Sequence, residues 1–352
     1  MDILVYGAGA IGGYLGGTLA LAGHRVTLIG RPAPAEAIRR DGLLITQTNQ
    51  TRRAPVQVAS DLESALSGMA ACDLVILGMK SYDLANAATR LAAICPGARV
   101  MGTQNGIGVE EIVAAQFGPD STLSGAITIP ISRVAPNHLV VERPGRGLGI
   151  APVAAGQEIG RWVELFRAAG VNAGALADYR AMKWSKAFLN IMGNATSAIL
   201  NRPPAAVYRD GALFDLEMRM LREMRAVMQR LGIAVINLPG ASARPLARSL
   251  AYAPRFLLRA VFTQVIVHGR GDKMPSFHID LAAGKGRSEV AFNNGAIAAA
   301  GRAAGVATPV NRALNETLLR LSNGAVERTY FDGRPDRLLA VVDQYTANGD
   351  IP

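Results

Sequence analysis

Residues 182–200 carry polar side chains that could do acid–base chemistry. The stretch is otherwise mostly apolar, and its polar stripe consists of Lys183, Lys186, Asn190, Asn194 and Ser197. On an α-helix, at ~100° per residue, these positions fall within an arc of about 80°. A helix that is apolar on nearly all sides is buried, and its polar side chains then need polar company. We therefore predict one helix from Met182 to Leu200 whose polar stripe lines a cleft.

Lysine is rare in this chain, which singles out Lys186. Only five of the 37 basic residues are lysines, and the abundant arginine does not give up its proton. A lysine can protonate a carbonyl oxygen while a hydride reaches the carbonyl carbon. Asn190 and Asn194 follow Lys186 at intervals of one and two helical turns. We predict Lys186 as a general acid, with Asn190 and Asn194 as substrate ligands.

The N-terminal residues have the pattern of a dinucleotide-binding turn. A predicted strand at Asp2–Tyr6 leads into Gly-x-Gly-x-x-Gly at residues 7–12, then a helix and a second strand at Arg25–Ile29. The first glycine makes the tight turn, the second lets the backbone approach a pyrophosphate, and the third packs the helix on the strand. The helix N-terminus binds the phosphates through its free N–H groups. The predicted cofactor-binding residues here are Gly7, Gly9, Ala10, Ile11 and Gly12.

A membrane span is the alternative for this segment. Residues 3–23 contain no charged side chain, and their number is sufficient to cross a bilayer. Seven of these 21 residues are glycine, however, and the strand–turn–helix–strand order accounts for them. We predict a dinucleotide site and no integral membrane span.

The end of the second strand indicates which dinucleotide binds. An NAD site needs a carboxylate there to accept from the ribose 2′-hydroxyl. This strand runs instead into Gly30 and Arg31, and no acidic residue lies between Asp2 and Glu36. Because a guanidinium pairs with phosphate and a carboxylate repels it, we predict that Arg31 binds the 2′-phosphate of NADP(H).

Further strand-like runs predict a parallel sheet in the first half of the chain. They lie at 42–46, 55–58, 73–77 and 99–101, and runs at 124–129, 139–141 and 147–150 would complete the sheet. Ligands of such sheets bind beyond the carboxyl ends of the strands. Lys80 and Asn105 each follow one of these ends. We therefore predict that both residues contact the ligand.

Composition excludes several other classes of protein. The chain has 352 residues, of which 50% are hydrophobic, so it is not disordered and has room for about two domains. The net charge of +10 raises the question of nucleic-acid binding, but only 5% of residues are aromatic and no such motif occurs. Cys72 and Cys95 form no disulfide framework, which is typical of a reducing compartment. We predict a cytoplasmic protein that binds neither nucleic acid nor a metal.

The order of these motifs resembles the ketopantoate reductase family. The resemblance rests on the loop Gly7–Gly12, Arg31, Lys80, Asn105-Gly106, and the series Trp184, Lys186, Asn190 and Asn194. It continues in a C-terminal acidic segment that reads Ser276 to Asp280, Gly284 to Glu289, then Asn294-Gly295. This segment is one residue longer than the family pattern, and Ser288 stands where the family has threonine. The resemblance spans residues 1 to about 322.

The resemblance implies an activity and a role for each matched residue. The activity is the NADPH-dependent reduction of a 2-keto acid, with 2-dehydropantoate (ketopantoate) as the standard substrate in pantothenate and coenzyme A biosynthesis. Lys186 is implied as the general acid, and Glu289 as the residue that holds substrate hydroxyls and orients the lysine. The remaining implied contacts are Ser276 with the substrate carboxylate, Asn190 and Asn194 with the substrate, and Lys80 and Asn105 with the nicotinamide side. The implied catalytic set is Lys186, Glu289 and Asn105.

The predicted fold is α/β, with an N-terminal Rossmann-type doubly wound sheet followed by an all-α domain of the 6-phosphogluconate dehydrogenase C-terminal type. We predict the NADP-binding domain at 1–177, a helical substrate and dimerisation domain at 178–328, and a tail at 329–352. A homodimer is one assembly that this organisation allows.

A basic insert at about 235–272 belongs to a stretch with seven arginines and no acidic residue between Glu223 and Asp272. We interpret the insert as a helical hairpin with a solvated arginine face rather than as a surface for an anionic membrane or substrate.

Two other functions remain open at this point. A β-hydroxyacid dehydrogenase also places lysine and asparagine four residues apart on a helix after a Rossmann domain, but it lacks the segment from Ser276 to Glu289. A non-catalytic NADP-sensing protein would bind the cofactor tightly and would not need Lys186.

Overall fold

The computed structural model describes residues 1–69, 71–269 and 272–347. The chain divides into two units. The first contains Met1–Gln104, Gly108–Met182 and Leu238–Ala241, and the second contains Asn105–Ile107, Lys183–Asn237 and the residues from Ser242 onward. Among the described residues, the strands in chain order are β1 (Asp2–Tyr6), β2 (Arg25–Ile29), β3 (Leu43–Gln47), β4 (Gln50–Ala54), β5 (Gln57–Ala59), β6 (Leu74–Leu77), β7 (Val100–Gly102), β8 (Thr122–Ile127), β9 (Ile131–Ala135), β10 (His138–Val141), β11 (Leu148–Pro152) and β12 (Ala173–Ala175).

The first unit contains an eight-stranded sheet in the order β12-β11-β8-β7-β6-β1-β2-β5. Neighbouring strands are parallel, except that β8 and β11 are antiparallel. The central strand β6 is apolar and fully buried at all four positions, as expected for a sheet that helices cover on both faces. The helices of this unit are α1 (Ala10–Leu21), α2 (Pro32–Asp41), α3 (Leu62–Ser67), α4 (Leu84–Ile94), α5 (Val109–Phe117) and α6 (Gly160–Ala168).

A second sheet, which the sequence did not reveal, lies in the same unit. It has four strands in the order β4-β3-β10-β9, and β3 pairs in parallel with β10. The prediction that residues 42–46 and 139–141 belong to the main sheet is wrong, because Leu139 pairs with Ile45 of β3 in the second sheet. Val56 precedes β5, which joins the main sheet beside β2.

Helix α1 is packed between the two sheets, which accounts for its glycines. A Cβ atom added at Gly16 would lie 2.8 Å from side-chain atoms of both Val5 and Leu28 in the main sheet. A Cβ atom at Gly17 would lie 2.5 Å from Cδ1 of Ile45 in the second sheet. Residues 3–23 thus form a strand, a turn and a 12-residue helix, so the alternative of a membrane span is wrong. No helix among the described residues is long and apolar enough to cross a membrane.

Among its described residues, the second unit is helical, with 3₁₀ turns at Glu289–Phe292 and Arg328–Tyr330. Helix α7 (Tyr179–Ile191) begins in the first unit and continues into the second. The helices that follow are α8 (Asn194–Leu200), α9 (Pro204–Arg209), α10 (Gly211–Arg230), α11 (Ala243–Tyr252), α12 (Arg255–Gly269), α13 (Ser276–Ala282), α14 (Asn294–Ala304), α15 (Pro309–Ser322) and α16 (Pro335–Ala347).

The predicted single helix at 182–200 is wrong, because the chain breaks at Gly193 between α7 and α8. Gly193 has φ +66°, a left-handed conformation that glycine adopts without steric cost. Its N–H donates to Oε2 of the fully buried Glu217 at 2.7 Å, and Oε1 of that carboxylate accepts from Thr196 at 2.6 Å. A carboxylate from α10 therefore satisfies backbone and side chain at the start of α8.

The described part of the basic insert forms the helical hairpin α11–α12, and two of its arginines also bond to neighbouring elements. Arg255 pairs with Asp215 of α10 through two hydrogen bonds of 2.8 Å, and Arg259 donates to the carbonyl oxygen of Arg209 at 2.7 Å. The exposed large apolar side chains of this hairpin are Tyr252, Phe256, Leu257, Val261 and Val265. Its outer face is therefore more apolar than the sequence indicated.

Replacing Gly12 by alanine should destabilise the first unit. The added Cβ would lie 2.2 Å from the carbonyl oxygen of Gly7, a backbone atom that cannot rotate away. We expect the free energy of unfolding to fall by ~1–3 kcal/mol in urea denaturation. Gly97→Ala is the control, since its Cβ would have nothing within 4 Å. Equal stability of the two variants would contradict the close packing described here.

Candidate functional site

The glycine-rich turn has the geometry that its sequence pattern requires. The N–H groups of Gly7 and Ala8 both donate to the carbonyl oxygen of Ile29, at 3.0 and 2.9 Å, so the turn is held against the end of β2. Gly7 has φ +109°, which favours glycine. Gly9 caps α1 in an extended conformation without a side-chain hydrogen bond. The first-turn amides, including those of Ala10, Ile11 and Gly12, have no acceptor within the helix and can bind phosphate.

The end of β6 packs directly on this turn and carries Lys80. A Cβ atom at Gly7 would lie 2.5 Å from the Met79 nitrogen, and one at Gly78 would lie 2.6 Å from the Gly7 carbonyl oxygen. Lys80 follows Met79 in the chain and is the extended N-cap residue of the short 3₁₀ turn Ser81–Asp83. The structure therefore brings Lys80 to the edge of the sheet where the glycine turn lies.

The corner at the end of β2, where Gly30 and Arg31 follow the strand, carries an arginine, and the sequence has no acidic residue between Asp2 and Glu36. Gly30 follows β2, and a Cβ atom there would lie 3.1 Å from Cβ of Ala8. Arg31 is exposed and caps α2.

Arg133 of β9 is a second cation at this corner, and the sequence analysis missed it. Its guanidinium donates to the carbonyl oxygen of Ala8 in the glycine turn. Burial, and secondly the positive charge of Arg31, lower the pKa of Arg133 below the ordinary arginine value. No local signal could have found this residue, because it depends on the second sheet and is one arginine among many.

In the second unit, hydrogen bonds join four of the predicted site segments. Nδ2 of Asn190 donates to Oδ1 of Asn293 at 3.3 Å, and Nδ2 of Asn293 donates to the carbonyl oxygen of Glu289 at 2.9 Å. Nδ2 of Asn194 donates to the carbonyl oxygen of Asn190 at 3.3 Å. Oδ1 of Asn194 accepts from the N–H of Phe277, which follows Ser276, at 3.4 Å. Sequence analysis missed Asn293, although it is fully buried at the centre of this network.

Lys186 lies on α7 one turn before Asn190, so the two side chains point to the same side of the helix. It is half-buried. Glu289 is buried, with only 4% of its surface exposed, whereas Ser276 is exposed at the first position of α13. Ser288 accepts a hydrogen bond from the N–H of Val290 at 3.3 Å, so its hydroxyl caps the turn that holds Glu289.

The segment Asn105–Ile107 belongs to the second unit and docks on the same 3₁₀ turn. The N–H of Ile107 donates to the carbonyl oxygen of Phe292 at 2.8 Å. Gly106 has φ +107°, and a Cβ atom there would lie 2.7 Å from both Cβ and the carbonyl oxygen of Phe292. Asn105 is therefore held next to the turn that carries Glu289.

Comparison with known proteins identifies the family. The family model described as ketopantoate reductase PanE/ApbA matches residues 3–148, and the one for the PanE/ApbA C terminal matches residues 178–322. A 2-dehydropantoate 2-reductase from Halobacterium salinarum is 31% identical over 327 residues, which are 92% of this chain and 99% of that protein. The chain therefore belongs to the ketopantoate reductase family, and it is an oxidoreductase that acts on a CH–OH group.

Solved structures agree with the fold. The PanE/ApbA family ketopantoate reductase from Ralstonia eutropha JMP134 is 27% identical, with a TM-score of 0.77, over 92% of this chain and 99% of that one. A D-mandelate dehydrogenase, solved with NADH and anilino(oxo)acetate, is 21% identical, with a TM-score of 0.75 and the same coverage. At that identity the second likeness shows the fold alone. The predicted fold class, a Rossmann-type sheet followed by a helical domain, is confirmed.

Replacing Gly106 by alanine should disturb the docking of Asn105. The variant Gly108→Ala is a matched control, because Gly108 also has a positive φ of +88° but a Cβ there would have nothing within 4 Å. Both variants carry backbone strain, and only Gly106→Ala adds a collision with Phe292. We expect it to lose ~1–3 kcal/mol more stability than the control in urea denaturation. If the control loses as much stability as Gly106→Ala, the contact with Phe292 does not matter.

Proposed function

We propose that this protein reduces 2-dehydropantoate (ketopantoate) to pantoate with NADPH, and that Lys186 donates the proton. Family membership supports the substrate class. The observation that carries the proposal is the hydrogen-bonded network that gathers Asn190, Asn194 and the Glu289 turn at one end of α7. Lys186 lies one turn before Asn190 on the same face of α7.

The residues of the first unit fit a nicotinamide dinucleotide with a 2′-phosphate. Gly9 leaves space at the start of α1, where an added Cβ would find only the carbonyl oxygen of Gly78, at 3.5 Å. The pyrophosphate would accept hydrogen bonds from the first-turn amides of α1. Arg31 supplies positive charge at the end of β2, where an NAD site would have a carboxylate that binds the ribose. Lys80 and Asn105 are proposed ligands of the nicotinamide side. When bound, the cofactor supplies the hydride that the keto carbon accepts.

Lys186 completes the reduction by donating a proton. As the carbonyl carbon accepts a hydride, negative charge develops on the carbonyl oxygen. The Lys186 ammonium group donates its proton to that oxygen, which yields the 2-hydroxy acid and a neutral amine. Solvent then returns a proton to the amine. Asn190 and Asn194 orient the lysine and the substrate through their amide groups.

Substrate recognition is assigned to Glu289 and Ser276, together with Asn190. The Glu289 carboxylate accepts hydrogen bonds from the substrate hydroxyl and helps to orient Lys186. The exposed hydroxyl of Ser276, and Asn190 beside Asn293, donate to the substrate carboxylate. A carboxylate needs several donors when it leaves water, because its desolvation is costly.

A panel of 2-keto acids tests this function. The purified protein should oxidise NADPH fastest with ketopantoate, and more slowly with pyruvate, 2-oxoisovalerate and benzoylformate. Faster turnover of benzoylformate would instead favour a mandelate dehydrogenase activity, like that of the D-mandelate dehydrogenase with the same fold. Tight NADPH binding without turnover of any keto acid would favour an NADP-sensing protein.

The substitution Lys186→Ala tests the general acid. We expect kcat to fall by on the order of 10²–10⁴, because the developing charge on oxygen is no longer neutralised. Lys186→Arg should remain slow, since arginine keeps the charge but not the transferable proton. Lys273→Ala is the control, because Lys273 is exposed in the same unit. A wild-type kcat in Lys186→Ala would refute the assignment.

The substitution Arg31→Asp tests the choice of cofactor. A carboxylate at this position repels a 2′-phosphate and can accept from a ribose 2′-hydroxyl. We expect the ratio of kcat/KM for NADPH to that for NADH to fall by at least tenfold, mainly through KM for NADPH. An unchanged ratio would show that Arg31 does not contact the phosphate.

The cytoplasmic location and the homodimer stay predictions. The cysteines Cys72 and Cys95 are free thiols, as a reducing compartment would keep them. Size-exclusion chromatography with light scattering would measure the oligomeric state directly.

A further inference from the structure

Arg133 occupies a position that the glycine turn and the second sheet define together. One of its terminal nitrogens donates to the carbonyl oxygen of Ala8, and the other donates to the carbonyl oxygen of Pro136 at 3.3 Å. The N–H of Ala8 is bound to Ile29 at 2.9 Å, and Ala8 lies against Gly30. The guanidinium of Arg133 therefore lies at the end of β2, next to Gly30 and Arg31. In NAD sites, the acidic residue that binds the ribose is found at the end of this strand.

Arg133 has hydrogen-bond donors to spare at this position. A guanidinium carries five N–H donors, and the two contacts to backbone carbonyls use one each. Arg133 is about half-buried. Two backbone carbonyls and the β9 backbone hold the group in place, so little side-chain freedom remains to be lost when a ligand binds.

The positive charge at this corner is not balanced by protein carboxylates. Across residues 1–69, 71–269 and 272–347, neither Arg31 nor Arg133 forms an ion pair. The two charges are close enough that Arg31 lowers the pKa of Arg133, which means that they repel each other. Many other arginines of the chain are paired; Arg25, for example, binds Asp2. A phosphate dianion at this corner would replace the repulsion with two attractive contacts.

We propose that Arg133 is a second ligand of the cofactor 2′-phosphate and sets the preference for NADP(H) together with Arg31. The second sheet then has a direct part in recognition, since β9 delivers this guanidinium to the turn between β1 and α1. The proposal rests on the NADP(H) assignment in the proposed function and extends it to a residue outside the Rossmann motif. It does not depend on which keto acid is the substrate.

Binding of NADP⁺ and NAD⁺ to the purified chain, measured by isothermal titration calorimetry, tests this role. The variant Arg133→Gln keeps a polar side chain but removes the positive charge. We expect Kd for NADP⁺ to rise about 10- to 100-fold and Kd for NAD⁺ to change less than threefold. Arg161→Gln, at an exposed position of α6 in the same unit, is the control and should leave both constants unchanged.

Two further variants separate phosphate binding from support of the turn. Arg133→Lys keeps the positive charge but lacks the paired N–H donors of a guanidinium, so it should retain part of the preference for NADP⁺. This variant also provides a test if Arg133→Gln does not fold. The double variant Arg31→Gln/Arg133→Gln should bind the two dinucleotides equally well. The loss of preference in this variant should exceed that in either single variant.

Each contrary result has a definite meaning. Equal weakening of both dinucleotides in Arg133→Gln would show that Arg133 only supports Ala8, and unchanged binding would show no contact; either result overturns the proposal. Tight binding of NADP⁺ that Arg133→Gln leaves intact refutes the role of Arg133 and spares the proposed cofactor. Failure of the unmodified protein to prefer NADP⁺ over NAD⁺ refutes both.

Discussion

The first unit depends on a close contact between backbones at Gly7, Gly12 and Gly78. The Gly7 carbonyl oxygen lies 2.2 Å from where a Cβ of Gly12 would be and 2.6 Å from where a Cβ of Gly78 would be. The contact joins the end of β1, the first turn of α1 and the residue after β6. The backbone atoms that form the glycine turn also set the distance between α1 and the sheet. The glycines proposed to bind the nucleotide are therefore also the ones that allow the close packing of this unit.

The local part of this arrangement could be predicted from sequence, because its signals lie within about thirty residues. Short motifs predict β1, β2 and the turn at residues 7–12. The absence of an acidic residue near Arg31 can likewise be seen in the sequence itself. The second sheet could not be predicted, since Leu139 pairs with Ile45 and the intervening chain belongs to other elements. A short apolar run has the same pattern in either sheet. Arg133 was missed for the same reason.

In the helical unit, the predicted residues lie on two helices and not on one. Helical periodicity predicted Lys186, Asn190 and Asn194 on one continuous stripe, yet Gly193 ends that helix. The buried carboxylate of Glu217, from a distant helix, stabilises the break, and periodicity contains no information about such a partner. Asn194 stays beside Asn190 because its side chain bonds to the carbonyl oxygen of Asn190. A local hydrogen bond from side chain to backbone thus replaces the predicted helical spacing.

The second sheet can cover helix α1 only after its last strands have been synthesised. Helix α1 carries no charged residue, and one of its faces is covered by β3, β4, β9 and β10. Because β9 and β10 are synthesised more than a hundred residues after the start of the chain, that cover cannot be complete earlier. A nascent chain shorter than this exposes an uncharged, glycine-rich segment that can aggregate. The cover of α1 is therefore complete only after His138–Val141 has been synthesised.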